Sequence, residues 1–149
     1  MTLEEIEKRL NILEDKEAIR ELQYKYLGHL TKVEWEQVFD CFTEDAVTNI
    51  GVHGIKNGKA EIISFFKNVI ARGHVGKEGN FVVQPIITVN GDQAKASWFI
   101  YIMHLDLTGT KAQDWAQGLY DIEYKKVNGQ WKISYMGFQR RLGPPPPQT

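Results

Sequence analysis

The stretch DKEAIRELQYKYLGHLTKVEW, Asp15 to Trp35, decides how the rest of the chain is read. Ile19, Leu22, Tyr26 and Leu30 recur at helical spacing and share one face. An amphipathic helix is therefore predicted from Asp15 to about Leu30. Tyr26 is the polar-tipped aromatic on that apolar stripe. A phenol aimed inward is either a core residue with a satisfied hydroxyl or a group that faces a ligand. Upstream, Thr2 and Glu5 form a capping-box pattern, and Ile6, Leu10 and Leu13 make a short apolar stripe. Residues 1–14 thus read as an N-terminal helical extension lying on the domain or on a neighbouring subunit.

Downstream, Trp35, Val38, Phe39 and Phe42 repeat at helical spacing and predict a short second helix. Thr43–Asp45 reads as a turn and Ala46–Ile50 as a strand. Gly51, Gly54 and Gly58 punctuate turns, and Lys59–Ala71 is a third helix. The pattern then changes to strands: Phe81–Val89, Gln93–Leu107, Gln113–Val127 and Gln130–Arg141. Pro85 predicts an edge position or a bulge in the first of these. Asn90-Gly91-Asp92, Thr108-Gly109-Thr110 and Asn128-Gly129 are the hairpin signals between them. Three helices followed by a strand meander predict an α+β domain over residues 1–143. A proline-rich extended tail is expected at 144–149.

Composition narrows the function classes. The 149 residues suit one core, 42% are hydrophobic and 25% charged, and the net charge is −1. That balance speaks against a nucleic-acid partner. No apolar run approaches the roughly 18 residues of a membrane span. The N-terminus lacks the apolar run of a signal peptide, and the single cysteine, Cys41, permits no intrachain disulfide. A cytoplasmic protein with no membrane partner is expected. The four histidines are scattered and show no metal-ligand spacing, so no metal and no cofactor are expected.

The long strands carry apolar residues on both faces. Trp98, Ile100, Ile102 and His104 share one face of Gln93–Leu107, and Phe99, Tyr101 and Met103 the other. Both faces need cover, which predicts a homo-oligomer. A symmetric hairpin over Thr108–Thr110 pairs Trp98 with Tyr120, Ile100 with Gly118, Ile102 with Ala116 and His104 with Asp114. The small residues opposite the isoleucines leave space for a small-molecule pocket.

Taken in order, several segments resemble the SnoaL-like branch of the NTF2-like superfamily over about residues 15–142. They are EAIRELQYKY, Trp35, FTEDAV (Phe42–Val47), Gly58 heading a helix, PIITVNGDQAKASWF and GLYDIEYKKVNGQWKI. The resemblance implies a cone-shaped α+β barrel, open at one end, with helices packed on a curved antiparallel sheet around an apolar cavity. Members include polyketide cyclases, scytalone dehydratase, a lindane dehydrochlorinase and bile-acid 7-alpha-dehydratase, while others only bind. It also implies a general-base dyad: an Asp at the end of the principal helix and a His early in the first long strand, assisted by a tyrosine. Here Tyr26 matches the tyrosine. The Asp position falls on Thr31, the His position on Asn80, and two further polar pocket positions on Ile50 and Ile102. Neither Thr nor Asn titrates near neutral pH, so the family dyad is absent from its usual place.

The candidate catalytic residues are Tyr26, Thr31, Asn80 and His104, the last paired with Asp114 either as a replacement dyad or as a solvated strand-end pair. Candidate ligand contacts are Trp35, Ile50, Gln84, Trp98, Ile102 and Tyr120. The expected activity is a cofactor-independent lyase, isomerase or cyclase acting on an apolar ring compound; the alternative is a non-catalytic ligand-binding or accessory protein. From the resemblance, a trimer is favoured over a dimer.

Overall fold

The computed structural model describes residues 1–144, so the tail expected at 144–149 lies, beyond Pro144, outside the described residues. Three helices, α1 (Leu3–Thr31), α2 (Trp35–Asp40) and α3 (Lys59–Asn68), pack on a six-stranded sheet. Its strands are β1 (Phe42–Ile50), β2 (Ile55–Asn57), β3 (Gly79–Asn90), β4 (Gln93–Leu105), β5 (Ala112–Val127) and β6 (Gln130–Leu142). Their order is β2-β1-β6-β5-β4-β3. The sheet is curved and unclosed, with β2 and β3 as its edges, so the expected barrel is an open wrap. No helix among the described residues is long and apolar enough to cross a membrane.

The extension and the principal helix form one continuous element. No Gly or Pro interrupts the chain near Leu13, and the Thr2–Glu5 capping box starts a helix that runs to Thr31. It buries Ile19, Tyr26, Leu27 and Leu30 against the sheet, while Leu3, Ile6, Leu10 and Leu13 remain exposed. Asp15 accepts hydrogen bonds from Trp131 Nε1 at 3.0 Å and Lys126 Nζ at 2.8 Å, clamping α1 to the β5–β6 hairpin.

The turn expected at Thr43–Asp45 lies within β1. The Thr43 hydroxyl donates to Asp45 Oδ1 at 2.8 Å, and the register against β6 slips between Phe42 and Val47, so the polar triplet marks a bulge. The β1–β6 pairing is parallel, which makes the sheet mixed rather than a pure antiparallel meander. β2, read from the sequence as part of a turn region, pairs with β1 through three residues, too few for alternation to show. The third helix ends at Asn68, and Ile70–Gly73 forms a tighter 3-10 turn.

Pro85 sits on an edge strand beside a register shift between Val83 and Ile86, as the sequence predicts. The predicted β4–β5 register also holds at all four pairs, Trp98↔Tyr120 to His104↔Asp114. Asn128 and Gly129 close the β5–β6 hairpin with φ of 51° and 76°, the left-handed values a tight two-residue turn requires. Some polar tips inside the core pair with one another, while Gln23 Nε2 and the Thr48 hydroxyl have no partner among the described residues. The Trp98 indole N–H donates to the Tyr124 hydroxyl at 3.1 Å, which donates to Gln23 Oε1 at 2.7 Å. On the outer face, Phe81 stacks on Tyr101 at 5.7 Å and meets Trp115 edge-on at 5.9 Å.

Candidate functional site

A cavity of about 540 Å³ opens between the helices and the inner face of the sheet. The volume is within the range of small-molecule sites. Of the ten candidates, Tyr26, Ile50, Asn80, Ile102, His104 and Tyr120 line it. Leu30, Phe66, Val69, Ile70 and Ile100 give it apolar walls.

The other four candidates do not line the cavity. Thr31 stands behind Asn80 and accepts from its Nδ2 at 3.3 Å, so the two positions assigned to the family dyad meet as a hydroxyl and an amide. Trp35 stacks on Phe39 at 6.4 Å and braces His74, a wall residue, at 6.1 Å. Trp98 is buried at the hydrogen-bond relay described above. Gln84 is exposed, because the slip beside Pro85 turns it outward with φ of 54°. The space left by Gly118 is also filled: the Phe138 ring lies where a Cβ at that position would sit.

Tyr26 is 2% exposed, and its hydroxyl donates to Met136 Sδ at 3.5 Å. Burial, then the neighbouring Tyr120 phenol, raises its pKa well above the ordinary tyrosine value. Burial also raises Tyr120, although the contact with Tyr26 works the other way. Both phenols therefore stay neutral and serve as donors, not bases.

His104 follows Ile100 and Ile102 along the inner face of β4. Its Nδ1 lies 2.8 Å from Asp114 Oδ1 on β5. A carboxylate only accepts, so Nδ1 carries the proton and Nε2 is the basic nitrogen. The side chains are 28% and 38% exposed, at the rim rather than in the core.

His74, His53 and Arg140 are polar wall residues with no counterpart among the sequence candidates. His74 Nδ1 donates to the Ile70 carbonyl at 2.9 Å, which leaves its Nε2 open. It lies in a glycine-bounded loop that carries no periodic signal. His53 rests against Phe65 at 5.4 Å. Arg140 shares the inner face of β6 with Phe138, and strand alternation from Met136 was the available clue. Its Nε and Nη1 are covered and donate to nothing, as Asn80 Oδ1 is covered without a partner. Burial pulls the guanidinium below its ordinary pKa.

A family model for the SnoaL-like domain matches residues 11–137. The chain belongs to the SnoaL-like family. An NTF2-like protein with a cystatin-like fold from Novosphingobium aromaticivorans is 21% identical, with a TM-score of 0.76, over 92% of this chain and 88% of that one. The hexachlorocyclohexane dehydrochlorinase LinA-type3 from Novosphingobium barchaimii is 17% identical, with a TM-score of 0.74, over 87% and 88%. A second Novosphingobium aromaticivorans protein, provisionally assigned as an aromatic ring hydroxylase, is 26% identical, with a TM-score of 0.73, over 88% and 92%. The first of these likenesses shows that this SnoaL-like chain has the NTF2-like, cystatin-like fold.

Proposed function

We propose that the cavity takes an apolar ring compound and that His104, held by Asp114, removes a proton from it in a cofactor-independent elimination or isomerisation. The observation that carries this reading is the 2.8 Å His104–Asp114 contact beside the cavity, with Nε2 left as the base. Asp114 fixes the tautomer and stabilises the imidazolium that proton transfer creates. Asn80 and the Tyr120 phenol are neutral hydrogen-bonding groups suited to orienting the ring or stabilising an enolate. Thr31 holds the Asn80 amide in place. The names of two similar proteins, a hexachlorocyclohexane dehydrochlorinase and a provisional aromatic ring hydroxylase, support a ring-shaped ligand.

A ring-compound panel screened by thermal shift identifies ligands, and turnover is then followed for the wild type, His104→Ala and Asp114→Asn. His104→Ala is expected to lower kcat by about 10²- to 10⁴-fold while the ligand-induced thermal shift remains. Unchanged turnover in that variant would remove His104 from the mechanism. The non-catalytic reading rests on one observation, the hydroxyl–amide pair of Thr31 and Asn80, at positions where the sequence resemblance implies a titrating dyad. Ligands that bind without turnover across the panel would favour it.

A further inference from the structure

The cavity has a second polar pole. Register places Arg140 opposite Gly118, which is opposite Ile100. His104 lies four residues further along β4, about 13 Å of strand rise and two strand spacings away. Arg140 is therefore at the other end of the same wall. Its neighbour Arg141 also borders the cavity, but its guanidinium lies 5.3 Å from the Phe99 ring centre. Arg140 has no such partner: Nε and Nη1 are shielded and donate to no acceptor, and no carboxylate among the described residues lies within ion-pair distance.

A half-buried guanidinium without an acceptor is costly, and folded proteins rarely leave one so unless something else supplies the acceptor. The side chains beside it on the inner face of the sheet supply none. Phe138 is apolar, Gly118 has no side chain and Ile100 is a hydrocarbon. The missing partner is thus to be sought in the ligand, and a planar carboxylate is the group the guanidinium fork matches best.

We infer that the ring compound is a carboxylic acid, with its carboxylate taken by Arg140 and the ring extending along the apolar wall toward His104. This rests on the cavity reading above and names the substrate class. Arg140 is then a binding residue that orients the ring and determines which C–H reaches the base. The same wall discriminates against the uncharged amide, whose one carbonyl oxygen accepts a neutral hydrogen bond where a carboxylate takes both arms of the fork with charge assistance.

The experiment uses three acids, benzoate, cyclohexanecarboxylate and 2-naphthoate, each with its primary amide. Dissociation constants are measured by calorimetry on the full chain, on Arg140→Gln and on Arg140→Lys, with circular dichroism to verify folding. At least one acid is expected to bind the wild type about tenfold or more tighter than its amide. Arg140→Gln removes that preference and leaves amide binding unchanged, and Arg140→Lys retains part of it. Equal affinity for acid and amide, or a preference that survives in Arg140→Gln, would overturn the assignment and leave the ring pocket standing. If neither member of any pair binds, the pocket reading falls and the inference with it. His104→Ala serves as the control: it affects turnover without changing the acid–amide ratio.

Discussion

Replacing Tyr124 by phenylalanine removes one oxygen and strands two partners. The Trp98 indole N–H loses its acceptor and Gln23 Oε1 loses its donor, both inside the core. Water does not reach these groups to compensate, so Tyr124→Phe is expected to cost about 1–3 kcal/mol. A melting temperature lower by several degrees in scanning calorimetry checks this. Tyr26 belongs to a different class despite equal burial. Its hydroxyl donates to a sulfur, a weaker acceptor, so the oxygen is the less important part of that side chain for stability. The phenol could be recognised in the sequence as inward-facing, but spacing alone could not say whether it meets protein or ligand. The structure gives it both: Met136 as a partner and a place on the cavity wall.

Between elements, the Asp15 clamp joins α1 to the β5–β6 hairpin. Burial works to raise the Asp15 pKa, but hydrogen bonds from Lys126 and Trp131 outweigh it and hold the carboxyl below its ordinary 3.8. The folded state thus favours the ionised form. The stability this adds is present above pH 3.8 and is lost as pH falls through the lower folded value. Wild type should melt above Asp15→Asn from neutral pH down to about that point, and the gap should close in more acid solution. At the β5–β6 crossing, a Cβ at Gly118 meets the Phe138 ring and lies 3.0 Å from the Gln139 carbonyl oxygen. Gly118→Ala is expected to cost about 1–3 kcal/mol through overpacking, and Phe138→Leu in the same chain to recover part of it. Denaturant midpoints of the four combinations measure that coupling. The elements themselves were mostly legible. Periodicity marks α1 and α3, and the Asn-Gly and Thr-Gly-Thr turns fix the two long hairpins and their register. The β1–β6 pairing was not, because it joins distant segments side by side in parallel and no local turn announces it. Arg140 was hidden for a related reason. An arginine near the end of a last strand reads as surface, and only the curvature of the sheet over the cavity buries it.

For the molecule as a whole, the outer face of the sheet carries Phe81, Trp115 and Ile86 at 43%, 49% and 72% exposure. Exposed apolar residues of this kind, on edge strand β3 and on β5, favour a second copy as their cover. Sedimentation is expected to show an oligomer that dissociates on Trp115→Lys, with the fold retained by circular dichroism. A wild-type monomer at micromolar concentration would refute that expectation. The inner face has a different kind of organisation. His104 and Asp114 are ten positions apart on one hairpin, and Asp106 braces its tip by accepting from Thr108 Oγ1 and Thr110 N. Thr31 and Asn80 are forty-nine apart and come from a helix and a distant strand. A pair carried by one hairpin keeps its spacing wherever that hairpin moves, so the geometry of His104 and Asp114 does not depend on how α1 sits across the cavity.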